Sequence, residues 1–181
     1  MVLLGICGSL RKGSLNRLLM GEVFAAWGGD VAEGDIRLPL LDEDLKAEQG
    51  LPPGVARLAE QIADAAAVVL VTPEYNQSMP GTIKNALDWV SLAPGKPWLD
   101  KPVAIASAAD GRAGGARAQY ALRLAMTPFR PRLLTGPEVA VAHASKEFAE
   151  GRLVSDRYRA QVVELVGRLR AEAARGPALP G

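Results

Sequence analysis

The sequence predicts an α/β fold of three layers, a parallel sheet of five strands in the order 2-1-3-4-5 held between two layers of helices. Three observations carry that expectation. Apolar runs and helical periodicities alternate along the 181 residues, and strand–helix alternation builds a parallel sheet through right-handed crossovers. Residues 67–71 (AVVLV) are continuously apolar, as a strand covered on both faces requires. Loops rich in Gly, Ser, Asn and Pro follow the first, third and fourth strands. In the order 2-1-3-4-5 those loops meet in one crevice beyond the carboxyl ends of the strands.

The elements follow in chain order. Residues 2–7 form the first strand, and Leu15, Leu18, Leu19, Val23 and Ala26 then recur at helical spacing. Residues 31–37 are a weaker second strand, and residues 38–49, acidic and containing Pro39, read as a loop. Pro52 and Pro53 open the next helix, since proline suits a first turn, and Val55, Leu58, Ile62 and Ala65 give its apolar face. After the third strand, Pro80 opens a helix striped by Ile83, Leu87 and Val90. Residues 103–106 are the fourth strand, 115–125 the helix after it and 138–142 the fifth strand. Tyr158, Val162, Leu165 and Leu169 mark the last helix. A single domain is expected over residues 1–175, with 176–181 (GPALPG) a loose tail.

The first loop, GSLRKGSLN over residues 8–16, joins a buried strand to a helix N-terminus, where unpaired N–H groups and the helix dipole favour an anion. Gly8 and Gly13 permit close backbone approach, Ser9, Ser14 and Asn16 offer neutral donors, and Arg11 supplies a planar charged fork. The spacing approaches that of an NTP-binding loop, but Ser14 stands where GxxxxGK[ST] needs its lysine, and GxGxxG is absent. A single terminal phosphate such as that of FMN fits better than a triphosphate or pyrophosphate. The plainer alternative is a Gly/Ser turn with Ser14 as helix cap.

The second loop offers Pro73, Glu74, Tyr75 and Asn76 directly after the central strand. Rigid backbone, an aromatic and amide groups suit a planar ring with polar edges, such as isoalloxazine; alternatively the prolines only shape a turn and Glu74 is solvated. The third loop, SAADGRAGG over 107–115, offers Ser107 and many backbone N–H groups. Asp110 and Arg112 are expected to pair locally or to face water, with a nicotinamide-cofactor contact as the sharper option for Arg112. Lys84 and Asp88 are expected to pair on a helix surface, and Trp89 to lie in the core or a subunit contact.

Composition narrows the function. Lys+Arg 21 against Asp+Glu 20 leaves a net charge of +1, which favours small-molecule ligands over nucleic acid. The longest purely apolar run, residues 65–71, is too short to span a membrane, and no cationic leader is evident. A cytoplasmic protein is expected. One cysteine and one histidine, Cys7 and His143, exclude an internal disulfide and leave no Cys/His metal site or hydrolase triad. Cys7 reads as buried packing, with a redox thiol as the alternative.

The stretches GSLRKGSLNR, TPEYNQSMPGTIKNALDWVS and GGARAQYALR, in that order, resemble the NADPH-dependent FMN reductase family, especially its chromate- and quinone-reducing branch and related azoreductases. The resemblance runs from Leu4 to about Leu169. It implies a flavodoxin-like fold binding FMN without a covalent bond, with Ser9, Arg11, Ser14, Leu15 and Asn16 around the phosphate. Pro73, Glu74, Tyr75 and Asn76 would flank the ring, and Ser107, Gly111 and Gly114 would close the site. Such proteins are typically dimers or tetramers, and Arg117, Tyr120 and Glu138 match positions of an intersubunit hydrogen-bond network, with ordinary surface pairing as the alternative. Gln77, where relatives often carry Tyr or His, and Ala108, Ala109 and Asp110 depart from the pattern where nicotinamide and acceptor would approach.

The resemblance thus implies hydride transfer from NADPH or NADH to FMN, then to a quinone, azo compound, chromate or free flavin. The chemistry belongs to flavin N5, so no catalytic side chain is expected. The rival readings are a flavodoxin-type electron carrier and a flavin-binding redox sensor; near-neutral charge and Arg11 argue against the carrier.

Overall fold

The computed structural model describes residues 1–176; the end of the expected tail, 177–181, lies outside them. A parallel sheet forms from β1 (Leu3–Cys7), β2 (Val31–Gly34), β3 (Ala67–Thr72) and β4 (Pro102–Ala108), with β5 (Arg132–Leu133) beyond β4, in the order β2-β1-β3-β4-β5. Further along, β6 (Val139–Val141) also pairs with β4. The expected fifth strand is therefore two pieces on one edge: Arg132 and Leu133 face Pro102 and Val103, while Val139 to Val141 face Ala106 to Ala108.

Helices cover both faces. On one lie α1 (Leu15–Trp27) and, at the chain's end, α7 (Asp156–Ala174); on the other lie α3 (Pro53–Asp64), α4 (Gly81–Ser91) and α5 (Ala116–Met126). Strand residues alternate between the two cores as the period of two demands. Val69, Val71, Ala104 and Ala106 pack with Leu19, Val23, Val162 and Leu165. Val68, Leu70, Val103 and Ile105 pack with Leu58, Ile62, Ile83, Leu87 and Leu122. Cys7 is buried, and Trp89 is fully buried with its Nε1–H donated to Pro39 O at 2.8 Å.

The sequence reading needs correction at the margins of the sheet. The second strand stops at Gly34 rather than residue 37. The expected loop 38–49 contains a short helix, α2 (Glu43–Gln49), capped by Asp42, whose carboxylate accepts from the N–H groups of Asp44 and Leu45. It buries no residue, so it has no apolar stripe to betray it. Between β6 and α7 the chain adds α6 (Ala144–Glu147) and an antiparallel pair, β7 (Phe148–Ala149) with β8 (Arg152–Leu153). Glu22 of α1 pins that hairpin, bonding Arg152 Nε at 2.7 Å and the Leu153 N–H at 3.3 Å.

Candidate active site

The carboxyl ends of β1, β3 and β4 converge on a crevice of ≈ 400 Å³, within the range of cofactor sites. Its walls include Ser9, Arg11, Ser14, Leu15 and Asn16 from the first loop and Pro73, Glu74 and Tyr75 from the second. Ala108, Ala109, Asp110 and Ser145 complete it. A second cavity, beside Trp98 and Phe129, opens at the amino end of β4, away from the loops that follow the strands.

The first loop is built to present donors. Gly8 is required by packing: a Cβ there would lie 2.6 Å from the Ile83 side chain and 3.0 Å from Pro73. Its N–H bonds Val71 O at 2.8 Å, and its carbonyl accepts from Thr82 Oγ1 at 2.8 Å, so the loop is locked to the third strand and α4. Ser14 caps α1, accepting from the Arg17 N–H at 3.3 Å. That acceptance leaves its O–H free to donate outward. Among the described residues, no protein acceptor takes the N–H groups of Gly13, Ser14, Leu15 or Asn16. Arg11 is exposed beside them, with Nη2 donating to Gly13 O at 3.2 Å. The Ser14 cap thus leaves the neighbouring N–H groups open, which is the arrangement an anion cradle needs.

Asn16 does a different task from the one its sequence position suggested. Its Nδ2 donates to Ala108 O at 2.8 Å and its Oδ1 accepts from the Ala108 N–H at 2.9 Å, stitching α1 to the end of β4. That pairing uses Oδ1 and one of the two Nδ2–H donors, while its backbone N–H remains at the crevice.

In the second loop, Tyr75 and Ser78 exchange backbone hydrogen bonds of 3.0 Å each around Asn76 and Gln77. Both central residues have positive φ, 49° and 63°, as a tight two-residue turn demands. Asn tolerates that conformation readily and Gln does not. The turn leaves Tyr75 half exposed, at 52 %, on the crevice rim. Glu74 is not solvated: Oε2 accepts from the N–H groups of Arg117 at 3.1 Å and Ala118 at 3.3 Å, at the start of α5.

The third loop departs most from expectation. Ser107 is fully buried and turned inward, donating to Gly114 O at 2.7 Å and accepting from Gln119 Nε2 at 2.8 Å. Its hydroxyl is spent on the fold and does not reach the crevice. Asn76, Gly111 and Gly114 also lie outside its walls. Gly114 serves packing, since with φ +59° a Cβ would come within 2.4 Å of Ala140 O. Asp110 and Arg112 both face water rather than pairing, and Asp110 also accepts from the Ser145 N–H at 2.7 Å. That bond, chiefly from the Ser145 backbone, holds the Asp110 carboxyl below its ordinary value, so it is ionised at neutral pH. Ser145, on the crevice wall, escaped the sequence reading because it lies in a short helix 35 positions downstream of Asp110.

Lys84 and Asp88 pair at 2.6 Å as expected, and Tyr120 Oη meets Glu138 Oε2 at 3.4 Å within the chain. Among the described residues there is no cluster of three potential metal ligands and no helix long and apolar enough to cross a membrane.

A parallel sheet in this order, with loops gathered at one crevice, defines a flavodoxin-like flavoenzyme architecture. The chain belongs to the NADPH-dependent FMN reductase family, whose sequence pattern matches residues 1–146. It is 45% identical over 160 residues to an NAD(P)H-dependent FMN reductase of Pseudomonas aeruginosa, covering 86% of each chain. It is 43% identical over 137 residues to a quinone reductase of Escherichia coli K12, covering 74% of this chain and 73% of that one. Among solved structures, the flavoenzyme NAD(P)H:(acceptor) oxidoreductase FerB from Paracoccus denitrificans superposes with a TM-score of 0.88 at 30% identity, over 98% of this chain and 99% of that one.

Proposed function

We propose that this chain is an FMN-dependent oxidoreductase that takes reducing equivalents from NADPH or NADH and delivers them to a quinone. The observation that carries the reading is the row of backbone N–H groups from Gly13 to Asn16, without a protein acceptor, beside Arg11 in the crevice. Such a cradle fits a terminal phosphate: N–H groups at a helix start, two serine hydroxyls and a guanidinium. Bound FMN would supply the hydride-accepting and hydride-donating chemistry at N5. Ser9, Arg11, Ser14, Leu15 and the backbone of Asn16 would hold its phosphate. Pro73, Tyr75, Ala108 and Ala109 would cover the ring and exclude water from one side, while the backbone of Glu74 would border its polar edge.

Quinone is favoured over the other acceptors of the same reaction, which are azo compounds, chromate and free flavin. The relatives include a quinone reductase, and the ionised Asp110 carboxylate stands on the crevice wall. A fixed negative charge at the mouth repels an oxyanion such as chromate but not a neutral ring. The enzyme would act in the cytoplasm. It would assemble as a dimer or tetramer through the outer face of α5, where Tyr120 and Leu124 are 58 % and 75 % exposed.

The test is anaerobic. FMN-saturated protein is mixed with NADPH or NADH while the visible flavin band is followed, then offered benzoquinone or chromate. Rapid bleaching, reversed faster by benzoquinone, is the expected result and gives the donor preference. FMN binding without bleaching would instead indicate an electron carrier or sensor.

A further inference from the structure

Glu74 belongs to the crevice by position, yet both its carboxylate oxygens are engaged by the protein. Oε2 takes the Arg117 and Ala118 N–H groups, and Oε1 lies 3.7 Å from Arg117 Nη1. Those N–H groups open α5, which starts at Ala116 after Gly115, a capping position with no side chain to accept from them. A carboxylate there satisfies orphan donors and complements the positive end of the helix dipole. The carboxylate arrives from a loop 43 residues earlier in the chain, so capping the helix also seats that loop.

The same helix secures the third loop from inside. Gln119, fully buried one turn further on, donates from Nε2 to Ser107 Oγ at 2.8 Å and to Val139 O at 2.9 Å. Ser107 in turn holds Gly114 O at 2.7 Å. Thus α5 is the common post for both loops on the ring side of the crevice, and Glu74 is its connection to the loop bearing Tyr75.

We propose that Glu74 is a positioning residue, which latches the loop of Pro73 and Tyr75 to the first turn of α5 and thereby sets the ring side of the cofactor crevice. The inference rests on the FMN reading above. It assigns the Glu74 side chain to the protein's own helix rather than to the cofactor.

Three proteins decide it: the unsubstituted chain, Glu74→Gln and Glu74→Ala. FMN affinity is read by quenching of flavin fluorescence, and the latch by amide hydrogen exchange at Arg117 and Ala118. Glu74→Ala should raise the FMN dissociation constant about tenfold and accelerate exchange at both amides. Glu74→Gln keeps an acceptor oxygen at the same reach and should restore affinity to within about threefold. In the unsubstituted protein, FMN should slow exchange at Arg117 and Ala118, a comparison that stands even where the alanine variant does not fold.

Unchanged affinity and exchange in Glu74→Ala would overturn the proposal. A glutamine variant as weak as the alanine variant would also overturn it, because charge toward the ligand would then matter rather than the cap. Failure of the unsubstituted protein to bind FMN would sink the cofactor reading instead, while the exchange comparison still reports on the latch.

Discussion

Three serines show how one residue type acquires different duties. Ser9 and Ser14 line the crevice, whereas Ser107 is turned into a buried network with Gln119 and Gly114. Ser9 follows β1, Ser14 precedes α1 and Ser107 lies near the end of β4 before a Gly-rich loop, so local sequence does not separate them. Arg11 is legible in sequence because a guanidinium in a Gly/Ser loop before a helix, with Lys12 beside it, suits an anion. The structure leaves it exposed, with one bond to Gly13 O. Its remaining donors are available to an anion. Arg11→Ala should therefore weaken FMN binding about tenfold to a hundredfold, the range of roughly 1.5 to 3 kcal/mol for a charge-assisted bond. Flavin fluorescence titration measures this, and an unchanged dissociation constant would take Arg11 out of the pocket.

At the scale of elements, α1 is tied to the sheet by more than its apolar face. The paired bonds between Asn16 and the Ala108 backbone, 2.8 and 2.9 Å long and buried, join residues 92 apart in sequence. Removing the amide leaves a buried N–H and carbonyl without partners, at roughly 1–3 kcal/mol for each unsatisfied group. Asn16→Ala should thus lower the melting temperature by about 5 °C or more, at roughly 2–4 °C per kcal/mol for a chain of this size. Thermal unfolding followed by circular dichroism provides the check; a shift under about 1 °C would show that water replaces the amide without loss. The long central elements were legible because they bury apolar residues throughout: β1, β3 and β4 as apolar runs and α3 by its helical spacing. The elements that escaped are short: α2 buries nothing, α6 has four residues, and β5, β7 and β8 have two each. Their existence depends on caps and distant anchors such as Asp42 and Glu22, which leave little periodic signal.

Over the whole molecule, near-neutral charge and an exposed apolar strip on α5 are the features on which the proposed assembly of copies rests. Tyr120 and Leu124 lie four residues apart on one helix face, at 58 % and 75 % exposure, and the Tyr120 hydroxyl meets Glu138 in its own chain. The residues singled out for subunit contact are thus already organised within the monomer. Leu124→Glu places a charge in that strip and should shift size-exclusion elution toward a smaller species at micromolar protein. An unchanged elution volume would exclude the α5 face as the interface.

By itself, the sequence determined the alternating architecture and the placement of a Gly/Ser loop at the start of α1. Those follow from short-range rules: period, turn chemistry and the donors at a helix start. Only the tertiary structure decided the strand order and which polar side chains of the three loops face the crevice and which face the protein. Asn16 and Ser107 spend their side chains on Ala108, Gly114 and Gln119, Glu74 spends its own on α5, and Asp110 meets a serine from α6. The physical reason is that a buried or half-buried polar group binds whichever partner the fold brings within about 3 Å. That partner is most often distant in sequence.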